Sequence, residues 1–146
     1  MSFQNDPHVI RWRLHLAAAP DKVHEMLATD AGRAHFWAES AVETNGMIDW
    51  RWPGASGRFK LIENTPPLRF AVEYFGHTTV VFTLTGDGVK GTDLTLTERG
   101  VPEEDRVETL AQWVSVLMAL KAAVDFGVDL RNHDGRRTWR NGFVNN

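Results

Sequence analysis

At 146 residues, 42% hydrophobic and 24% charged, the chain has the size and composition of one globular unit with a substantial core. A formal net charge of −3 and a pI near 6.0 argue against a general nucleic-acid or anionic-membrane surface, which would need basic charge. The lack of cysteine removes disulfides, thiolate metal sites and cysteine nucleophiles, and fits a reducing cytoplasm.

The first residues carry no charged segment followed by an apolar run, so no signal peptide is expected. Val9 to Leu16 alternates, with Ile10, Trp12, Leu14 and Leu16 on one side and Arg11, Arg13 and His15 on the other, as in a half-buried strand. Pro20 suits the first turn of a short helix that buries Val23, Met26 and Leu27, and Thr29 or Asp30 caps a second one ending near Trp37. From Ser40 to Arg99 the pattern is one of strands. Asn45-Gly46 is a hairpin signal, Ile48, Trp50 and Trp52 share a face, and residues 53–57 read as a loop. Pro66-Pro67 marks a connection, and the glycine-rich turn from Gly86 to Gly91 joins two alternating strands. Those strands put Val80, Phe82, Leu84, Leu94 and Leu96 on one face and threonines mainly on the other.

The chain then closes on a long apolar stripe from about Glu103 to Leu130. Leu110, Trp113, Leu117, Leu120 and Val124 recur at steps of three and four, one face of a helix roughly 40 Å long. Its most apolar stretch, Val114 to Val124, is interrupted by Ser115 and Lys121, so no membrane span is expected. The expected fold is α+β: a curved antiparallel sheet wrapped around the C-terminal helix, with two short helices after the first strand. One domain is expected over residues 1–146, with its core at about 9–130 and a tail at 131–146.

Several short motifs carry a resemblance. Ala19-Pro20-Asp21-Lys22-Val23 after the first strand resembles the helix start of the START/Bet v 1-like (SRPBCC) superfamily. Trp37, Pro66-Pro67-Leu68-Arg69-Phe70, Gly91-Thr92-Asp93-Leu94-Thr95-Leu96 and Trp113 are similar to elements of one branch of it. That branch is related to the C-terminal domain of the activator of the heat-shock-protein-90 ATPase. The resemblance spans about Val9 to Val128 and implies a helix-grip with a cavity between sheet and helix. The branch's usual W-G-P is here Trp37-Ala38-Glu39, and the tail runs beyond the core fold.

If the alternation holds, Trp12, Trp50, Trp52, Phe59, Phe70, Tyr74, Phe82, Leu96, Trp113 and Leu117 converge under the helix. They read either as an aromatic-lined pocket for an apolar molecule or as a filled core. Glu98, in phase with Leu94 and Leu96, joins them as a ligand-binding or basic group. A frayed strand end pairing Glu98 with Arg99 is the favoured alternative for that one residue.

The histidines assemble no metal site, and Ser56 sits in no nucleophile elbow. Two basic-aromatic clusters, Trp50-Arg51-Trp52 and Arg136-Arg137-Thr138-Trp139-Arg140, could stack nucleic acid. Arg51 alternates away from its tryptophans, however, and the tail is expected to dock Trp139 and Phe143, covering a cavity mouth or forming a homodimer contact. The sequence therefore points to a cytoplasmic protein that binds a small hydrophobic molecule, lipid-like or aromatic. It assigns no catalytic residue, metal or cofactor and no nucleic-acid partner. A cyclase- or hydrolase-type enzyme and a co-chaperone-like or regulatory interaction module are the alternatives.

Overall fold

The computed structural model describes residues 3–146. Seven strands form one antiparallel sheet, and three helices complete the fold. In chain order they are β1 (Val9–Leu16), α1 (Pro20–Ala28), α2 (Asp30–Phe36), β2 (Ser40–Thr44), β3 (Met47–Trp52), β4 (Ala55–Thr65), β5 (Arg69–Tyr74), β6 (Thr78–Gly86), β7 (Thr92–Arg99) and α3 (Arg106–Phe126). The spatial order β1-β7-β6-β5-β4-β3-β2 makes a meander of β2 to β7, with β1 returning to pair with the last strand. This is the helix-grip architecture: an open, curved sheet with the long C-terminal helix against it.

Local chemistry explains most element boundaries. Thr29 caps α2 by accepting a hydrogen bond from the Gly32 amide at 2.9 Å. Gly32 lies so close to α1 that an added Cβ would sit 2.5 Å from the Met26 carbonyl oxygen, so only glycine permits this elbow. Asn45 and Gly46 take φ values of 53° and 81°, the pair of positive values that a tight two-residue hairpin requires. Residues 53–57 are shorter as a loop than expected. Pro53-Gly54 makes the whole turn and β4 resumes at Ala55, because Gly57 and Phe59 continue the pairing with Trp50 and Ile48. A bulge between Leu61 and Glu63 leaves Ile62 exposed.

The closing helix is shorter than its apolar stripe. A 3₁₀ turn at Glu103–Asp105 precedes α3, and Gly127 ends it in the left-handed conformation at φ 65°. The Gly127 and Val128 amides return to carbonyls of the last turn, so the chain from Val128 onward is not helical. From Glu103 to Phe126 the segment is long and apolar enough to cross a membrane by length and composition. A helix packed in a protein core passes the same test, so the segment is no clear membrane span. In this fold Trp113, Leu117 and Leu120 of that segment are buried in the core.

One apolar cluster joins the sheet, α1, α2 and α3. Val80, Phe82, Leu84, Leu94 and Leu96 are all buried on the inner face, as their alternation implies. Leu110 and Val124 of the α3 stripe pack at its margins. Arg33 is buried among them, a position no periodicity announces. It donates to the Ala41 carbonyl from Nε and Nη2, to the Leu27 carbonyl from Nη1, and to Asp30 at 2.6 Å. The guanidinium thus ties the two-helix elbow to β2, and burial pushes its pKa down despite the nearby Asp30 and Glu43 carboxylates.

Candidate functional site

The inner aromatics divide into two groups. Trp50, Phe70, Phe82 and Leu96 are fully buried, Leu117 nearly so, and none of these five lines the groove beside α3. Trp12 packs at the edge of the core and donates its indole N–H to the Leu110 carbonyl at 3.1 Å. Phe59 is half-buried and meets the rings of Tyr74 and Phe75 at centroid distances of 5.9 and 5.0 Å. These seven residues, expected as cavity lining, occupy packed positions because their side chains fill the space that the sheet encloses. The Trp50 N–H has no hydrogen-bond partner; its ring stacks on Trp52 and lies 4.5 Å from Trp37, centroid to centroid.

Trp52, Tyr74, Glu98 and Trp113 reach a different place. They form the inner end of a groove of about 950 Å³ running between α3, the β3–β4 turn, the turn after β5 and the C-terminal tail. Val114 and Met118 supply the helix wall, Phe75 the turn wall, and Leu130, Trp139 and Val144 the tail wall. The exposed turn residue Phe75 had no place in the expected site, whereas the tail was expected to cover a cavity mouth or join a dimer contact. Trp139, expected to dock with Phe143 against the domain, lines the groove half-buried, whereas Phe143 stays 40% exposed.

Each indole at the inner end is oriented by its N–H. Trp52 donates to the Trp37 carbonyl at 2.7 Å, and Trp37 donates to the Tyr74 hydroxyl at 3.1 Å. Trp113 donates to Glu98 Oε1 at 2.8 Å, while the Thr78 hydroxyl stands 2.5 Å from Oε2 and 3.2 Å from the Phe75 carbonyl. Glu98 is only 3% exposed, which overturns the expectation of a frayed strand end paired with Arg99. β7 remains paired to its last residue on both sides, with Glu98 opposite Ile10 and Val80, so the side chain has no route outward. Burial pushes its carboxyl pKa up, against the opposing pull of Thr78 and Trp113. Burial likewise raises the Tyr74 phenol, against the opposing pull of the Trp37 hydrogen bond. Burial therefore disfavours the ionised forms of both the phenol and the carboxyl group that face the groove.

The tail that closes one wall is attached by polar contacts. Arg131 donates from Nη1 to the Ala38 carbonyl and from Nη2 to the Ala34 carbonyl, both at 2.7 Å. These bonds take up carbonyls at the end of α2. The His133 ring lies between two carboxylates, 2.6 Å from Glu39 and 2.7 Å from Asp129. Those partners push the imidazole pKa up, and Arg131 and His133 hold Asp129 well below the usual carboxylate range. Among the described residues no group of histidine and carboxylate side chains is arranged to hold a metal ion.

No family model matches the chain, and no curated protein matches it. Solved structures do. The Aha1 dimer from Colwellia psychrerythraea aligns over 82% of this chain and 97% of its own, at 22% identity and a TM-score of 0.74. A protein from Staphylococcus saprophyticus aligns over 84% and 96%, at 21% identity and a TM-score of 0.72. CalU16 from Micromonospora echinospora aligns over 78% and 72%, at 20% identity and a TM-score of 0.66. The likeness is one of fold, and it agrees with the curved sheet and long C-terminal helix described above.

Proposed function

We propose that this protein binds a small apolar molecule in the groove between α3 and the C-terminal tail. One observation carries the reading. Phe75, Val114, Met118, Leu130 and Val144 are each 44% or more exposed, yet they converge with Trp52, Trp113 and Trp139 on a single groove. Isolated exposed apolar side chains are ordinary, whereas a concave cluster of them rimmed by polar groups is the usual make-up of a ligand site. The groove volume of about 950 Å³ suits a molecule of lipid or polycyclic size. The fold likeness and the lack of cysteine support a cytoplasmic binding protein, and the Colwellia dimer supports self-association as part of the reading.

The neutral fluorescent probe N-phenyl-1-naphthylamine tests it. Its emission should rise on binding, and Trp139→Ala and Met118→Glu should each weaken the probe's affinity by more than about fivefold. Val89→Glu, on a hairpin tip 87% exposed and far from the groove, should leave it unchanged. No emission change with the unaltered protein, or equal weakening by all three substitutions, would overturn the reading.

A further inference from the structure

The proton count at the inner end of the groove specifies more than an apolar site, on the premise that the groove is the ligand site proposed for it. The Thr78 hydroxyl has one proton and two oxygen neighbours, the Phe75 carbonyl at 3.2 Å and Glu98 Oε2 at 2.5 Å. An ionised Glu98 would compete for that proton and leave one of the two contacts without a hydrogen. A neutral Glu98 satisfies both, since its O–H donates to Thr78 and Thr78 donates onward to Phe75. Oε1 is then the carbonyl oxygen of the acid. It accepts from Trp113 and keeps a second lone pair.

Tyr74 is the complement. Its oxygen accepts the Trp37 N–H, and among the described residues no acceptor stands within hydrogen-bonding distance of its own proton. Both Tyr74 and Glu98 line the groove. We infer that the groove selects an apolar ligand ending in a neutral hydroxyl group, which accepts from the Tyr74 O–H and donates to Oε1 of a protonated Glu98. A hydroxyl carries one donor and acceptor lone pairs on one atom, matching the free valences of the site. A ligand carboxylate would set its second oxygen against the Oε1 lone pair, and an ether could not donate. Direction of titration agrees with this, as burial favours the un-ionised forms of both residues.

Displacement of N-phenyl-1-naphthylamine by 2-naphthol, 2-methoxynaphthalene, naphthalene and 2-naphthoate near neutral pH is the test. In the unaltered protein 2-naphthol should bind about tenfold tighter than the other three. Tyr74→Phe should bring 2-naphthol to within about twofold of naphthalene. Glu98→Gln, an isostere of the neutral acid that keeps Oε1, should preserve the preference, and the infrared band of a protonated carboxyl should disappear in that variant. Naphthalene binding as tightly as 2-naphthol would overturn the hydroxyl selection while leaving the apolar site in place. Loss of the preference in Glu98→Gln, or absence of the protonated band in the unaltered protein, would overturn the neutral acid. Displacement by none of the four would overturn both the ligand reading and this inference.

Discussion

Along its inner face α3 buries Trp113, Leu117 and Leu120 against the sheet, whereas on the flank turned to the tail Val114 and Met118 remain 44% and 47% exposed. The same helix therefore borders a filled half and an open half. In the filled half, residues from β6, β7 and α3 interdigitate, and each buried side chain contributes roughly 1.5–3 kcal/mol. The open half is walled on one side by a tail that has little regular structure and is held largely by hydrogen bonds at Arg131 and His133. Stability belongs to the first region and adaptability to the second, since a wall anchored by a few polar contacts can adjust to an occupant at small cost.

The sharpest way to break this comparison is a pair of truncations. Phe82→Ala should lower the unfolding free energy by about 3–5 kcal/mol, because a fully buried ring leaves a cavity that its neighbours cannot close. Met118→Ala should change it by about 0.5 kcal/mol or less. Urea unfolding of the two variants measures both, and equal losses would erase the distinction between the halves.

Next in size is Arg33→Ala. It strips the Ala41 and Leu27 carbonyls of a buried donor and leaves a hole in the elbow, so roughly 3 kcal/mol should be lost. Probe affinity measured well below the unfolding transition should be unchanged, since Arg33 does not line the groove.

The smallest effect concerns the tail. His133 faces Glu39 and Asp129, with Arg131 beside Asp129, and its folded pKa lies above the ordinary 6.5. Its contribution is therefore complete below about pH 6.5 and is lost as pH rises through the elevated folded value. Hydrogen-exchange protection of the tail amides, corrected for intrinsic rates, should fall across that window. In His133→Ala the fall should be absent, with global unfolding little altered. A tail equally protected on both sides of the window would show that the imidazole does not hold it.

Much of the filled half was legible in the chain. Thr79 to Thr85 and Thr92 to Glu98 alternate apolar and polar residues cleanly, so strand identity, inner face and the phase of Glu98 followed from a period of two. The short motifs around Pro20, Pro66 and Gly91 pointed to the same fold for a local reason, since each prescribes a turn or a helix start. The open half was largely illegible. Phe75 follows β5 in sequence, yet it belongs to a turn and points to the groove region rather than the core. Trp139 is separated from Trp52 by more than half the chain, and only tertiary structure brings them to the same groove.

Glu98 shows where the two sources of information part. Its side of the sheet is dictated by parity along β7, a property of the backbone that any alternating sequence carries. Whether an inward carboxylate is solvated or sealed depends on what the neighbouring strands and the helix place over it. Here β1 and β6 pair with β7 to its end, Thr78 comes from β6, and Trp113 from α3. The sequence alone determined the strands, the helix and the face on which Glu98 lies, because those follow from local periodicity. Only the tertiary structure decided that the carboxyl is buried, doubly hydrogen-bonded and at the inner end of an apolar groove, because burial is a property of distant segments meeting.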